Sequence, residues 1–307
     1  MFDPTGDLYR IEELPAELNR SDGSRPVLVH GLSGFVDAGH ANRLAVEHLL
    51  ENLEHRVVAT FDVDQLLDYR SRRPMMVFEA DHWADYARPE LTLHEVRDED
   101  GTAFLLLSGP EPDLQWERFI AAVIDIVERF DVLLTVGLDA VPMAVPHTRP
   151  VTMTAHATRP ELVAGHEQWF GTVEVPASVS ALLELRLGEA GHDAIGFAVH
   201  VPHYLARTEY PDSARGLLTS LIDASGLALP TEGLRPAAER VTAEVNEQIG
   251  HSEEISGVVR KLEEQFDEAA ESRMPRSLLA SGVEELPSAD ELGAELEQFL
   301  ADRDGRG

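Results

Sequence analysis

The sequence predicts an α/β fold, with a mostly parallel, mixed sheet covered by helices, an inserted β-hairpin and a C-terminal helical lid. Three observations favour this class of fold. From Pro26 onward, short apolar runs alternate with stretches of helical periodicity, as in parallel sheets covered by helices. Two β-rich runs meet at Asp100-Gly101, which is a strong hairpin signal. After about residue 231 the strand-like runs stop and only helical stripes remain.

The individual elements follow from the spacing of apolar residues, which is continuous in buried strands and near 3.6 residues in helices. The strand-like runs are residues 26–31, 56–63, 74–80, 132–138, 151–157, 171–176 and 193–202, together with both arms of the hairpin at 91–109. The helical stretches are residues 40–53, 113–130, 178–187 and 213–225. This order predicts a sheet whose parallel strands are joined by helices.

The hairpin interrupts the alternation of strands and helices, so the segment from about 74 to 109 is predicted to be an insertion. A hairpin that stands off a domain is marginally stable alone and needs a partner. The sequence leaves two interpretations open, an oligomer contact and a plain edge hairpin.

The chain divides into three predicted units. Residues 1–230 form the α/β/α core, and residues 231–275 form the helical lid, because the apolar stripes of two successive helices there need burial. Residues 276–307 are predicted to contain a linker, a short helix opened by the Ser288-x-x-Glu291 capping box, and a mobile tail. We expect the lid to cover a cleft at the ends of the strands.

The composition argues against several classes of function. Acidic residues outnumber basic ones by 56 to 25, and the net charge of −31 disfavours nucleic acids and anionic membranes as partners. The chain has no cysteine, which removes disulfides, thiolate nucleophiles and cysteine metal sites. No apolar run reaches the length of a membrane span, and the N-terminal stretch lacks the apolar core of a signal peptide. We therefore expect a cytoplasmic protein with no membrane span, no nucleic-acid partner and no cofactor.

Glycine-rich and polar loops follow several predicted strands, and ligands of parallel sheets bind beyond the carboxyl ends of the strands. The first such loop, GLSGFVDAG, supplies the candidate ligand-binding residues Gly31, Gly34, Phe35 and Asp37. Its glycines allow close backbone approach, and the following helix offers unpaired N–H groups to an anion. The loop matches no dinucleotide or phosphate-loop fingerprint and no G-x-S-x-G nucleophile turn. Asp37 is either a ligand contact or a helix cap.

Two later loops supply the remaining candidates. VPHTRP contributes His147 and Arg149, and HVPHY contributes His203 and Tyr204. Arg149 either clamps an anion with two hydrogen bonds or pairs with a carboxylate of this acidic chain. His203 either exchanges a proton with a ligand or is a buried histidine with its hydrogen bonds met. We expect Arg149 and His203 to share one pocket with the 31–39 turn and to bind an anionic or polar ligand, without a metal.

Three stretches carry a resemblance to a known family. GFVDAG (34–39), VGLDAVPMAVPHTRP (136–150) and HVPHYLARTEYP (200–211) resemble the bacterial, actinobacterial-type branch of the proteasome assembly chaperone 2 family, and the likeness covers about residues 25–275. The resemblance implies a three-layer α/β/α core like that of purine nucleoside phosphorylases with a helical C-terminal addition. Together with the hairpin, it favours a homo-oligomer, most simply a trimer.

Two functions of different classes follow from these observations. The first is an assembly or scaffold-type protein that has a protein client and a cleft for a small ligand at the strand ends. The alternative is an enzyme of nucleoside-phosphorylase-like fold that acts on a nucleoside, a nucleotide or another small anionic substrate. No complete catalytic constellation is present in the sequence, and function does not follow from fold, so no residue is assigned a catalytic role.

Overall fold

The computed structural model of the chain describes residues 8–12, 25–34 and 37–272. The strands in these ranges are Tyr9–Ile11 (β1), Val27–Ser33 (β2), His55–Phe61 (β3), Met76–Glu79 (β4), His82–Tyr86 (β5), Thr92–Arg97 (β6), Ala103–Pro110 (β7), Leu134–Met143 (β8), Met153–Ala157 (β9) and Ala194–Pro202 (β10). The α-helices are Ala41–Asn52 (α1), Val63–Leu66 (α2), Trp116–Arg129 (α3), Val179–Glu189 (α4), Pro211–Ser225 (α5), Arg235–Gly250 (α6) and Glu253–Ser272 (α7).

Eight of these strands form one mixed sheet, in the order β1-β3-β6-β7-β2-β8-β10-β9. The four central strands, β7, β2, β8 and β10, are parallel to one another, and the strands on both sides pair in antiparallel fashion. One apolar cluster lies between the sheet and helices α1 and α5, and a second lies between the sheet and helices α3 and α4. The predicted three-layer α/β/α architecture with a mixed sheet is therefore confirmed.

Strand β2 shows how the sequence divides between the two layers. Val27 and Val29 pack in the cluster beneath α1 and α5, whereas Leu28 and Leu32 pack in the cluster beneath α3 and α4. Because side chains alternate along a strand, His30 shares the α3–α4 side with Leu28 and Leu32. A histidine therefore occupies a position that the pattern of the strand reserves for an apolar residue.

The hairpin predicted at 91–109 forms, but it is not an insertion. Its turn has Gly101 at a φ of +80°, and the amide of Thr102 bonds to the carboxylate of Asp98. Strands β6 and β7 both belong to the main sheet, and β7 pairs in parallel with the central strand β2. The segment that stands apart is shorter, since only β4 and β5 form a separate two-stranded sheet.

Two further differences concern the edges of the fold. The strand predicted at 171–176 is wrong, because this segment pairs with no strand of the described chain and its Val173 and Val175 are exposed. An alternating pattern cannot by itself supply the partner that a strand needs. The sequence also gave no sign of β1, which pairs with β3 at the edge of the sheet.

Helices α6 and α7 pack on different parts of the body. Val245 of α6 belongs to the cluster beneath α1 and α5, while Val258 and Leu262 of α7 contact Ala144 and Tyr204. Ala144 follows β8 and Tyr204 follows β10, so α7 lies at the carboxyl ends of two parallel strands. The division into core, lid and tail stays a prediction, and the linker and capping-box helix of residues 276–307 lie outside the described residues.

Candidate functional site

The glycine turn after β2 uses its predicted site residues for packing. A Cβ at Gly31 would collide with Asn42 and Val46, so the glycine allows α1 to lie directly against β2. A Cβ at Gly34 would collide with Glu111 in the same way. Phe35 lies outside the described residues.

Asp37 caps the first turn of α1. Its carboxylate accepts hydrogen bonds from the backbone amides of Asn42 at 2.8 Å and Arg43 at 3.2 Å. Burial raises the pKa of Asp37, and these two amides oppose that rise. The structure shows Asp37 as a helix cap, and its role as a ligand contact stays a prediction.

The turn after β2 lies beside the turn after β10, as the parallel strands predict. The amide of Gly39 donates to the carbonyl of Ala206 at 2.8 Å, and the amide of Tyr210 donates to the carbonyl of Gly39 at 2.9 Å. Gly39 has a φ of +64°, which favours glycine. The two loops therefore form one backbone-bonded edge of the sheet.

His147 and Tyr204 bind the loop after β8 to helix α6. The Tyr204 hydroxyl accepts from the amide of His147 at 2.9 Å and lies 2.7 Å from His147 Nδ1. His147 Nε2 lies 3.1 Å from Asn246 Oδ1. The hydroxyl therefore donates to Nδ1 while Nε2 donates to the amide oxygen, and every polar atom of the His147 ring has a partner.

Arg149 is engaged by α7. Its guanidinium donates to both carboxylate oxygens of Asp267, at 2.8 and 2.6 Å, and contacts Glu263 at 3.4 Å. These partners raise the pKa of Arg149, with the Asp267 hydrogen bond as the largest cause. We name the set His147, Arg149 and Tyr204, with Asn246 and Asp267, the latch.

His203 lies next to the latch. Its ring centroid is 5.4 Å from that of Tyr204 in an edge-on arrangement. Burial lowers the pKa of His203, and a hydrogen bond to the backbone of Met143 partly offsets that. Three predicted residues, His147, Arg149 and Tyr204, thus contact α6 or α7, and His203 lies against Tyr204.

A second group of polar residues, which the sequence analysis did not select, lies on the α3–α4 side of the sheet. The strand registers place His30, Gly137, Gly196 and His156 in one row across β2, β8, β10 and β9. A Cβ at Gly137 would lie 2.8 Å from the His30 ring, and a Cβ at Gly196 would collide with the His156 ring. The absence of side chains at the two glycines therefore lets the two imidazoles pack directly against the backbone of the sheet.

Carboxylates surround this row. Glu184 of α4 lies 2.8 Å from His156 Nδ1, and the carboxylate of Glu111 accepts from the amide of Val179, at the start of α4, at 2.7 Å. Asp139 follows Gly137 by two residues on β8, so it lies on the same face. We name His30, Glu111, Asp139, His156 and Glu184 the carboxylate–imidazole cluster.

The cluster perturbs the titration of its members. Burial, together with the charges of Glu111, Glu184 and Asp37, raises the pKa of Asp139 to about 6, and the charge of His156 opposes this rise. Burial also lowers the pKa of His156, but the hydrogen bond and charge of Glu184 outweigh it, so the net pKa is raised. Burial lowers the pKa of His30 to about 4, and the charge of His156 contributes. At neutral pH His30 is therefore neutral.

The sequence did contain a signal for this cluster. Gly137 and Gly196 interrupt continuous apolar strands, and a glycine inside a strand marks a place where another group approaches the backbone closely. His30 and His156 interrupt strands in the same way. These residues lie inside the strands, whereas the candidates predicted from the sequence lie in the loops that follow the strands.

Among the described residues, no group of three His, Asp or Glu side chains has the arrangement of a metal site. In the same part of the chain, no helix combines the length and apolar character that crossing a membrane requires.

Comparison with known proteins identifies the family. The model of the PAC2 family matches residues 31–249, so the chain belongs to the PAC2 family. This family membership confirms the resemblance that the GFVDAG, PHTRP and HVPHY stretches carry. No curated protein matches the chain in sequence.

Solved structures extend this comparison. A Mycobacterium tuberculosis protein of unknown function is 49% identical, with 89% of this chain and 93% of that chain covered and a TM-score of 0.84. A Corynebacterium glutamicum protein of unknown function is 41% identical, with 87% and 99% covered and a TM-score of 0.83. A proteasome-assembly chaperone homologue from Mycobacterium tuberculosis is 25% identical, with 76% and 99% covered and a TM-score of 0.70.

Proposed function

We propose that this chain acts in the cytoplasm as a non-catalytic assembly or scaffold-type protein, and that it works as a homo-oligomer whose copies meet through the β4–β5 hairpin. The observation that carries the proposal is the exposed apolar surface of this hairpin. The similarity of the whole chain to a proteasome-assembly chaperone homologue supports the assembly function.

The hairpin exposes an unusual share of large apolar side chains. Met75 is 76% exposed, Phe78 is 55% exposed and Trp83 is 64% exposed. Every residue of β4 and β5 is exposed, so neither face of this two-stranded sheet is covered. Contiguous apolar surface of this kind marks contact sites between proteins, and an isolated hairpin is only marginally stable.

The charge of this region favours a second copy as the partner. The chain carries a net charge of −31, so two copies repel each other over most of their surface. Residues 70–88 hold four arginines and three acidic residues, which gives a net formal charge of +1. The hairpin is therefore a place where a second acidic copy can approach without repulsion.

The form of the hairpin favours a ring over a two-fold dimer. A projecting arm that packs on a different surface of its neighbour makes a head-to-tail contact, and such contacts close into rings when the rotation fits. A trimer is the smallest ring of this kind and is the oligomer we propose.

The test is the mass of the full chain in solution by light scattering and native mass spectrometry at micromolar concentration. We expect three times the 33.8 kDa monomer mass for the wild-type chain. The double substitution Phe78→Ser and Trp83→Ser should give monomers with an unchanged circular dichroism spectrum, because β4 and β5 do not belong to the main sheet. Leu133→Ser is the matched control, because Leu133 is 51% exposed outside the hairpin. A monomeric wild-type chain, or a double variant of unchanged mass, would overturn the proposal.

The alternative, an enzyme acting on a nucleoside, a nucleotide or another small anion, stays a prediction, as does the phosphorylase-like description of the core. Arg149, the cation proposed for such a substrate, is already bonded to Asp267 and Glu263. This pairing favours the assembly function over the alternative.

A further inference from the structure

We propose that the carboxylate–imidazole cluster is a binding site for a small organic cation that carries an amino or guanidinium group. This site is separate from the hairpin and goes beyond the assembly function. Four observations carry the proposal: an unsatisfied buried imidazole, an unpaired carboxylate, access to solvent and the sign of the charge.

His30 is the first observation. His30 is only 3% exposed, and its Nδ1 has no hydrogen-bond partner among the described residues. Buried polar atoms are nearly always hydrogen-bonded, and an exception in a folded protein calls for a bound water, ion or ligand. The ring lies over Gly137, in the row that leads across Gly196 to His156. Cε1 and Nε2 are the ring atoms nearest Gly137, so the imidazole borders the cluster and the unpaired Nδ1 lies farther from Gly137.

Asp139 is the second observation. Among the described residues, no partner donates a hydrogen bond to its carboxylate, although the residue is mostly enclosed. A carboxylate in this position has lost much of its hydration without gaining a donor inside the protein, which is costly. A ligand with N–H groups supplies the missing donors, and a charged one supplies the missing counter-charge.

Access to solvent is the third observation. The side chain of His156 is 40% exposed, and that of its partner Glu184 is 18% exposed. The cluster thus extends from the buried His30 to a partly open edge, where β9 is the last strand of the sheet. The cluster is therefore accessible to solvent at its His156 edge.

The charge decides the class of ligand. The groups whose charges act on Asp139 are His156 and the three carboxylates of Asp37, Glu111 and Glu184, and no arginine or lysine is among them. His156 is the one group of this set that can carry a positive charge, so a phosphate or carboxylate ligand meets net repulsion from the acids, whereas an ammonium or guanidinium ion is attracted. Because the described residues hold no three-ligand metal arrangement, a cation with N–H donors fits better than a bare metal ion.

The experiment is isothermal titration calorimetry, which measures the affinity of the full chain near neutral pH for the probes agmatine and putrescine. About 0.15 M salt screens the attraction of amines to the acidic surface, so that only binding at an enclosed site remains. Butane-1,4-diol, inorganic phosphate and magnesium chloride serve as neutral, anionic and metal probes. We expect at least one of the two amines to bind with saturation and none of the other three probes to bind.

Variants assign the binding to the cluster. Asp139→Asn should weaken the amine affinity by about tenfold or more, and Glu184→Gln should weaken it in the same direction, because each removes one charge-assisted contact. Glu239→Gln removes one exposed acid of α6 and should leave the affinity unchanged. Binding should also weaken below about pH 6 as Asp139 gains a proton, with His156, Glu111, Glu184 and Asp37 as the titratable groups that face it.

Three results would overturn the proposal. The first is that neither amine binds the wild-type chain. The second is that the affinity of Asp139→Asn and Glu184→Gln equals that of the wild-type chain. The third is that phosphate or magnesium binds in place of the amines. None of these results bears on the mass of the oligomer, so failure of this site and failure of the assembly function are distinguishable.

Discussion

The latch and the carboxylate–imidazole cluster are both groups of polar residues at the parallel strands, but they differ in how many of their polar atoms have hydrogen-bond partners. In the latch, the His147 ring has a partner at both nitrogens, and Arg149 donates to Asp267 through Nε and Nη2 and to Glu263 through Nη1. In the cluster, His30 Nδ1 has no partner and the Asp139 carboxylate accepts no bond from the described residues.

This difference separates a structural role from a binding role. A satisfied polar network stabilises the position of the elements it joins, and here it joins the loop after β8 to α6 and α7. An unsatisfied buried group lowers stability and is retained where a ligand completes it. His147 and Arg149, which the loop pattern selected, therefore mark the edge of the sheet where α6 and α7 pack. The unpaired His30 and Asp139, inside the strands, mark the proposed binding site.

The largest effect expected from this comparison is a gain of stability in Asp139→Asn. The pKa of Asp139 is raised from 3.8 to about 6, so the folded chain holds this proton more tightly than the unfolded chain. Wild-type stability therefore falls as the pH rises from about 4 to about 6, and the asparagine variant avoids this loss. Urea unfolding should give a gain of about 1–3 kcal/mol above pH 6.

Urea unfolding of the two proteins at low pH is the control for that prediction. At a pH below about 4, Asp139 is protonated in both the folded and the unfolded chain, so the two proteins should be equally stable. A variant that is less stable than the wild-type chain above pH 6 would show that Asp139 is a structural residue like those of the latch.

A loss of similar or smaller size is expected for Tyr204→Phe in the latch. The substitution removes the hydroxyl that serves both the amide and the ring of His147, and it leaves these buried groups unpaired. We expect the free energy of unfolding to fall by about 1–3 kcal/mol, with amine binding unchanged. Tyr69→Phe is the matched control, because the Tyr69 hydroxyl bonds to Asp64 at an exposed site. Equal losses in the two variants would contradict the role given to the latch.

The smallest effect is expected for Arg149→Ala. Its ion pair with Asp267 joins side chains that are 30% and 51% exposed, and solvent-exposed pairs of this kind contribute little to stability. Urea unfolding at low and high salt should show a small loss that salt removes. Arg159→Ala, which breaks the comparably exposed pair with Asp193, is the control.

A thermal-shift series on the same Arg149→Ala variant tests the predicted anion site. Wild type and variant should respond alike to nucleotides, nucleosides and sugar phosphates. A shift in the wild-type chain that the variant loses would restore Arg149 as a ligand contact and favour the enzyme alternative.

Much of the fold could be predicted from local patterns. The apolar face of 113–130 predicted a helix that the structure places at Trp116–Arg129, and Asp100-Gly101 predicted a turn that forms. The failures are non-local. Residues 171–176 have the pattern of a strand but no partner, and β6 and β7 joined the main sheet because β7 pairs with β2, which lies about 75 residues earlier in the chain.

The sequence by itself determined the class of fold, the acidic surface and the loops that meet at the carboxyl ends of the strands, because periodicity, charge and strand direction are properties of local segments. Only the tertiary structure decided which polar groups are already paired. The partners of Arg149 lie on α7, more than 110 residues away, and His30 faces His156 only because four strands pair in one register. Satisfaction of a hydrogen bond depends on distances between remote segments, which no local pattern contains.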